Sequence, residues 1–217
     1  MKIVSTESFN WCFPDSDQHF ADMLKKNSEY QFKIKNIILA HADRINFDHV
    51  VDVGANVGLW ARWFYNQGAK KIDCFEPISS NLECLRRNTL DIKNLYIHET
   101  ALGTEKGSLT LYIEKSESNV GQHTIDRNYF GESALIKGYT VPMESLDSYC
   151  LSPTFIKLDV QGAEMMVLEG GADTIKKYRP SICIECEDKE LITIKFLQSL
   201  DYQLIGNTKS DFLMVPI

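Results

Sequence analysis

The sequence predicts an α/β fold in which a mostly parallel, seven-stranded sheet is covered by helices. From Asp48 onward, strand-like and helix-like segments alternate, which is the pattern of parallel strands joined by crossover helices. A valine-rich strand at 49–53 runs directly into a glycine-rich turn and a helix. The last two apolar strands, at 202–205 and 212–216, are too close in sequence for a crossover helix, so we expect a C-terminal antiparallel hairpin.

The composition is that of one globular domain. The chain has 217 residues, of which 44% are hydrophobic and 24% are charged. We expect a single domain, 1–217, with a Rossmann-like core at 48–217 and an N-terminal helical cap at 1–47. The 23 basic and 30 acidic side chains give a net charge of -7, which disfavours nucleic acid as a partner. The sequence has no apolar run of the roughly 20 residues needed to span a bilayer. It also has no apolar signal core at its start, so we expect a soluble, cytoplasmic protein.

The elements are expected in a regular order along the chain. A helical pattern at 17–42 has an apolar face and should form the cap. Further strands of the sheet are expected at 71–76, 95–98, 154–160 and 181–187, and helices from near 57 and at 79–89, 163–170, 172–178 and 189–200. An additional strand or hairpin arm is expected at 108–114, followed by a polar loop at 115–128 that is long enough to be functional.

The six cysteines are scattered and are expected to be reduced thiols. Cys183 and Cys186 form a Cys-x-x-Cys pair in a predicted strand. Positions i and i+3 of a strand point to opposite faces, and the sequence holds no second pair that would complete a zinc site. We therefore expect both thiols to pack in the core.

The turn from Asp52 to Gly58, with the sequence DVGANVG, is predicted to bind a cofactor. Its glycines let the backbone approach a ligand, and the helix that follows directs N–H groups at it. A dinucleotide fingerprint needs a glycine where this chain has Asn56, so a cofactor without a pyrophosphate is favoured. Asp52 would suit a positively charged or amine-bearing ligand. The Asp-x-Gly-x-x-x-Gly pattern resembles motif I of S-adenosylmethionine (SAM) dependent methyltransferases; a tight turn without a ligand is the alternative.

Glu76 is a second candidate for cofactor binding. It ends the strand that follows the glycine turn, where doubly wound folds place an acid that accepts hydrogen bonds from both ribose hydroxyls. A solvent-exposed glutamate at a strand end is the alternative. The position of Glu76 after the turn favours the contact with the cofactor.

A third motif lies at the end of the strand predicted at 154–160, where residues 157–164 read KLDVQGAE. Together with the glycine turn, the FEP sequence at 75–77, the LD pair at 146–147 and the RP pair at 179–180, it resembles the FkbM family of SAM-dependent O-methyltransferases over about 48–217. Gln161 stands where that family usually has glutamate. A glutamine can replace a glutamate that only bonds to a backbone group, but not a catalytic one.

The resemblance implies a class I methyltransferase fold and SAM as the cofactor. It also implies methylation of a hydroxyl group on a small molecule or glycan, most plausibly a saccharide. The candidate cofactor-binding residues are Asp52, Gly54, Ala55, Asn56, Gly58, Glu76, Pro77, Ala101 and Asp159.

Four residues are candidates for catalysis. Asp159 ends its strand in the crevice where methyl donor and acceptor should meet; it could orient the acceptor hydroxyl, act electrostatically near the sulfonium, or bind Mg²⁺ together with Glu185 or Glu187. Glu164 begins a helix, so a catalytic part and a favourable interaction with the helix dipole are both open. His123, in the polar loop, is a candidate general base or a solvated loop histidine.

Other interpretations of the chain stay open at this stage. A nucleotide-linked oxidoreductase is disfavoured by Asn56, and Gln161 leaves open a binding module that keeps the cofactor pocket without turnover. The aromatic residues near the N-terminus could wall an acceptor pocket, although core packing is the simpler interpretation. These residues are Trp11, Phe13, Phe20 and Tyr30.

Overall fold

The computed structural model describes residues 1–6, 9–26, 30–114, 124–126, 136–186 and 191–217. The strands are β1 (Lys2–Ser5), β2 (Asn10–Phe13), β3 (His49–Val53), β4 (Lys71–Phe75), β5 (Leu95–His98), β6 (Ala101–Leu102), β7 (Gly107–Glu114), β8 (Ile136–Glu144), β9 (Phe155–Leu158), β10 (Ser181–Glu185), β11 (Tyr202–Asn207) and β12 (Asp211–Pro216). The helices are α1 (His19–Lys25), α2 (Phe32–Ala40), α3 (Leu59–Asn66), α4 (Ser79–Asn88), α5 (Glu164–Gly170), α6 (Ala172–Tyr178) and α7 (Ile192–Ser199), with a 3-10 helix at Leu146–Tyr149.

The central sheet confirms the predicted architecture. Its seven strands lie in the order β11-β12-β10-β9-β3-β4-β5. The five strands from β10 to β5 are mutually parallel, and β12 pairs antiparallel with both β10 and β11, which is the expected C-terminal hairpin. The last residue of β3, Val53, is in register with Leu158 on one side and Phe75 on the other. The carboxyl ends of β3, β4 and β9 therefore meet at one edge of the sheet.

The sheet is buried on both faces, which explains the continuous apolar runs of its parallel strands. All five residues of β3 are buried. Val51 and Val53 belong to one core cluster, whereas Val50 belongs to the other. Cys183 and Cys186 are buried, and each belongs to a different one of the two clusters. The prediction that this pair packs in the core on opposite faces is confirmed.

The N-terminal region differs from the predicted helical cap. Residues 1–13 include an antiparallel hairpin of β1 and β2, and the helical pattern at 17–42 is divided into α1 and α2. Gln31, immediately before α2, has a left-handed backbone conformation with φ of 51°, which no continuous α-helix contains. The helical pattern at 17–42 is therefore confirmed as two separate helices, and the hairpin before it was not predicted, because residue periodicity reports an apolar face but not a break between two helices.

A second sheet lies beside the first and was only partly predicted. It has three strands in the order β6-β8-β7, with β7 and β8 antiparallel. The arm expected at 108–114 is β7, but its partners β6 and β8 were not predicted. Pro142 and Gly138 interrupt the strand signal of β8, and β6 has only two residues. Of the polar loop expected at 115–128, the structure describes 124–126, where Thr124 forms a bridge with Tyr112.

None of the helices in the described ranges combines the length and the apolar character that crossing a bilayer requires.

Candidate functional site

The glycine turn connects β3 to α3 and adopts a backbone that most residues disfavour. Gly54 and Gly58 have φ of 81° and 90°, and Asn56 has φ of 50°. A Cβ atom on Gly54 would lie 1.9 Å from the backbone oxygen of Asp159. A glycine is required there for two reasons, since the positive φ and the close approach of the chain after β9 both exclude a side chain. The turn and the end of β9 consequently form one continuous surface.

Glu76 lies directly after β4 and is tied to the glycine turn. Its carboxylate accepts hydrogen bonds from the backbone N–H groups of Asn56 and Ile78, both at 2.9 Å. The side chain is not exposed, contrary to the alternative stated above, because only 4% of the residue is accessible. Burial raises the pKa of Glu76 to about 7, although the two N–H groups act in the opposite direction.

A cleft opens in front of Glu76. Its polar wall holds Asn56, Glu76 and Asp159, and its apolar wall includes Leu109 and Leu111 of β7. An apolar wall facing a carboxylate that can accept two hydroxyl donors suits a nucleoside. The three-stranded sheet thus takes part in the site as a wall of this first cleft.

A second cleft of about 390 Å³ lies on the other side of the glycine turn. Phe20 and Tyr30 of the N-terminal region line it together with Trp60 of α3. The two clefts share Gly54, Asn56 and Asp159 in their walls. A single elongated ligand could therefore pass from one cleft to the other at the side chain of Asp159.

Asp159 is the centre of a hydrogen-bonded polar cluster. The Lys157 ammonium lies 3.0 Å from one oxygen of Asp159, and the amide of Gln161 donates to the other oxygen at 3.1 Å. The same Gln161 nitrogen donates to Glu185 at 2.6 Å and so bridges the two carboxyl groups. The Gln31 amide donates to Asp159 at 3.4 Å. Two carboxyl groups joined in this way share one proton.

The charges within the cluster are unequal. Burial acts to raise the pKa of Asp159, but the charge of Lys157 and the hydrogen bonds outweigh it, so that the pKa lies below its usual range. Burial and the adjacent Asp159 carboxylate raise the pKa of Glu185 to about 10. At neutral pH Asp159 is therefore the ionised member of the pair and Glu185 carries the proton.

The structure brings most of the predicted cofactor residues to the clefts. Gly54, Asn56, Glu76, Pro77, Ala101 and Asp159 line the first cleft, and Ala55 lines the second. Asp52 and Gly58 line neither. Asp52 is 1% exposed and pairs in register with Lys157, and a Cβ on Gly58 would meet Leu85 of α4 at 2.8 Å. Asp52 and Gly58 therefore pack against β9 and α4 and stabilise the turn without lining a cleft.

The structure gives Glu164 contacts within its own turn and does not describe His123. The Glu164 carboxylate accepts hydrogen bonds from the backbone N–H groups of Val160 and Gly162, at 3.2 and 3.0 Å, so its contacts hold the turn before α5. His123 and Glu187 lie outside the described residues. The neighbouring Thr124 lies beside the turn before α5, since its Oγ1 would be 3.7 Å from a Cβ on Gly162.

The residues at the end of β9 do not fit the divalent cation that the sequence suggested. Among the described residues, oxygen ligands for Mg²⁺ would come from Asp159 and Glu185. Their oxygens instead meet the Lys157 ammonium and the Gln161 amide. The described parts of the chain hold no cluster of three or more His, Cys, Asp or Glu residues suited to a metal. We derive no step through a cation.

Several residues of the site were not predicted as such. Lys157 belongs to the third motif, but no role was predicted for it. A lysine inside an apolar strand was the signal that could have identified a buried ion pair. Gln31, Trp60 and Leu109 carry no such signal, because only the tertiary contacts bring them to the clefts.

The fold and the paired clefts define a class I, Rossmann-like methyltransferase. Residues 52–204 match the methyltransferase FkbM domain. Since that match covers most of the chain, the protein belongs to the FkbM methyltransferase family, and the family implies SAM as the methyl donor.

Individual relatives agree with this assignment. The chain is similar to 2-O-methyltransferase NoeI of Sinorhizobium fredii (strain NBRC 101917 / NGR234), with 27% identity over 157 residues that cover 65% of this chain and 64% of the relative. The match thus spans less than two thirds of that relative's length. Among solved structures, methyltransferase FkbM from Methylobacillus flagellatus KT has a TM-score of 0.55 at 19% identity, covering 77% of this chain and 42% of the other. The yhhF protein of Escherichia coli has a TM-score of 0.53 at 12% identity, covering 96% and 92%. Both structures support the fold.

Proposed function

We propose that the protein is a SAM-dependent O-methyltransferase that methylates a hydroxyl group of a sugar or glycan. The observation that carries this proposal is the Asp159–Glu185 pair, of which Asp159 lines both clefts. The name of the Sinorhizobium fredii relative supports oxygen as the acceptor atom. A sugar is the acceptor class implied by the FkbM resemblance. The negative net charge of the chain agrees with an acceptor other than nucleic acid.

The residues of the two clefts fit SAM. Glu76 retains lone pairs for the two ribose hydroxyls, and Leu109 and Leu111 would cover the adenine. When bound, SAM supplies a methyl group on a positively charged sulfur. Asp159, at the junction of the clefts, places an ionised carboxylate near that charge.

The Asp159–Glu185 pair positions the acceptor for the transfer. An acceptor hydroxyl must lose its proton as its oxygen forms the new bond to the methyl carbon and the bond between that carbon and sulfur breaks. Asp159, which is ionised, accepts a hydrogen bond from that hydroxyl and orients its oxygen; its low pKa makes it a weak base, so the proton leaves to water. Lys157 and Gln161 keep the pair in place. His123 stays a candidate for the base that takes the proton.

Two measurements on the full chain test this proposal. Calorimetry should detect binding of S-adenosylhomocysteine (SAH), and labelled SAM should then transfer its methyl group to at least one member of a panel of glycans. Binding of NAD in place of SAH would instead indicate an oxidoreductase. Binding of SAH without transfer to any hydroxylated acceptor would indicate a binding module, and both results contradict the proposal.

A further inference from the structure

The N-terminal segment, defined here as residues 1–47, reaches the candidate site although it lies outside the matched family domain, which begins at residue 52. Phe20 and Tyr30 form part of the wall of the second cleft. Their rings contact each other edge to face, with centroids 5.0 Å apart. The segment therefore contributes to the wall of the second cleft together with the glycine turn.

Gln31 connects the N-terminal segment to both sides of the second cleft. Its amide nitrogen donates to Asp159, and its amide oxygen accepts a hydrogen bond from the Trp60 indole at 2.5 Å. Asp159 and Trp60 both line the second cleft. One side chain of the N-terminal segment thus sets the position of an ionised carboxylate and of an aromatic wall.

Charges of both signs lie in or near the wall of the second cleft. Asp159 in that wall is negative. The ammonium groups of Lys35 and Lys157 do not line the cleft but lie 5.0 and 5.3 Å from the centroid of the Trp60 ring, which does. The positive end of the α3 dipole adds to the cationic side. A zwitterion with its ammonium toward Asp159 and its carboxylate toward Trp60 and α3 matches this distribution.

We propose that the N-terminal segment selects the cofactor by recognising its amino-acid half in the second cleft, with Tyr30 as a contact and Gln31 as the positioning residue. This inference rests on the proposed function, in which the adenosine half occupies the first cleft. It makes the segment the part of the chain that distinguishes SAM from other adenosine compounds.

Two ligands that differ only in the amino-acid half test the proposal on the full chain by calorimetry. SAH carries this half, whereas 5′-methylthioadenosine lacks it. The variant Gln31→Asn shortens the side chain by one methylene, so that its amide no longer spans Asp159 and Trp60, and asparagine tolerates the left-handed backbone at this position. Asn36→Ala, at an exposed position of α2, is the matched control.

We expect Gln31→Asn to weaken SAH binding about tenfold, the equivalent of one hydrogen bond to a charged group, and to leave 5′-methylthioadenosine binding within about twofold. Tyr30→Leu should show the same difference between the two ligands, and Asn36→Ala should change neither affinity. A loss of fold in a variant would also weaken both ligands equally, so the circular dichroism spectrum and the melting temperature of each variant are measured to show that it is folded.

Three results would overturn the inference. Equal weakening of both ligands by the folded Tyr30→Leu and Gln31→Asn proteins would assign the segment to the adenosine half. Unchanged affinity for both ligands would deny it any part in cofactor binding. A raised KM for the acceptor with both affinities unchanged would make the second cleft the acceptor site. Failure of the unaltered protein to bind either ligand would contradict the proposed function itself.

Discussion

At the scale of single residues, Glu76 is held by backbone N–H groups while being almost completely buried. Its raised pKa, at about 7, leaves it partly protonated at neutral pH. A carboxylate accepts hydrogen bonds from two ribose hydroxyls, but a protonated carboxyl group must give up part of that capacity. Cofactor binding and ionisation of Glu76 should therefore be coupled.

We predict that the affinity for SAH rises with pH between about 5.5 and 7 and is constant above, with a slope of at most about tenfold per pH unit. The sign follows because hydroxyl donors stabilise the charged carboxylate, so that Glu76 has a lower pKa in the complex than in the free protein, and binding releases a proton. Calorimetric titration across this pH range measures it. The Glu76→Gln variant should bind SAH more weakly, and its affinity should not change with pH in this range. An unchanged pH dependence in that variant would assign the coupling to another group.

Gln161 is the residue at which the chain departs from the FkbM pattern. Its amide nitrogen is the hydrogen-bond donor shared by Asp159 and Glu185. A glutamate there would remove the donor and place three carboxyl groups together, which is a set of ligands suited to Mg²⁺. With glutamine at this position, the two carboxyl groups are held by hydrogen bonds and by one ammonium group, that of Lys157.

We predict that methyl transfer by the unaltered protein is insensitive to EDTA, and that Gln161→Glu lowers kcat by about tenfold or more, corresponding to one lost charge-assisted hydrogen bond. Added Mg²⁺ should partly restore the activity of this variant, because the cation compensates the added charge. Gln161→Leu, which removes the donor without adding charge, should lose activity and gain nothing from Mg²⁺. EDTA inhibition of the unaltered protein would refute this account of Gln161.

At the scale of the elements, the N-terminal hairpin is attached to α4 by one buried asparagine. Asn88 donates to the backbone oxygens of Cys12 and Val57 and accepts a hydrogen bond from the Cys12 N–H. Val57 belongs to the glycine turn, so one amide joins the hairpin, the helix and the cofactor turn.

We predict that Asn88→Ala lowers the free energy of unfolding by about 3 kcal/mol, since three buried hydrogen bonds are lost and their backbone partners stay buried. Urea denaturation measures the loss, and hydrogen exchange should show β2 opening before β3. Glu83→Ala, on the exposed side of α4, should change stability by less than about 0.5 kcal/mol. Equal protection of β2 in both variants would show that Asn88 does not anchor the hairpin.

At the scale of the whole molecule, Asp73 links three neighbouring parts of the sheet. Its carboxylate is contacted by His49 of β3 at 2.8 Å, by Lys71 of its own strand at 2.9 Å and by His98 of β5 at 2.7 Å. Burial acts to raise the pKa of Asp73, but the hydrogen bonds from these three partners outweigh it and hold the pKa below its usual range.

A carboxyl group whose pKa is lowered by folding stabilises the protein above its unfolded pKa of about 3.9, and this contribution is lost as the pH falls through the lower folded value. We predict that Asp73→Asn destabilises the protein at pH 7 by about 3 kcal/mol, the effect of breaking a buried ion pair. The variant should also lose less stability than the unaltered protein between about pH 5 and pH 3. Denaturation curves at several pH values measure both effects.

The control for Asp73 is Asp48→Asn, which removes an exposed ion pair with Lys70. It should cost less than about 1 kcal/mol at pH 7. A comparable loss of stability in the two variants would show that the burial of Asp73 does not increase its contribution to stability.

The sequence alone determined the parallel sheet, the C-terminal hairpin and the family motifs at the ends of β3, β4 and β9. These features are local, because strand periodicity, a glycine turn with positive φ and a strand-end carboxylate each follow from a few adjacent residues. The structure alone decided the two-helix form of the N-terminal segment and the three-stranded sheet, since short strands and helix breaks depend on partners distant in the chain. It also decided that Gln31 and Gln161 meet Asp159, 128 and 2 residues away. Contacts of this kind arise from packing, and one sequence read residue by residue does not contain their distances.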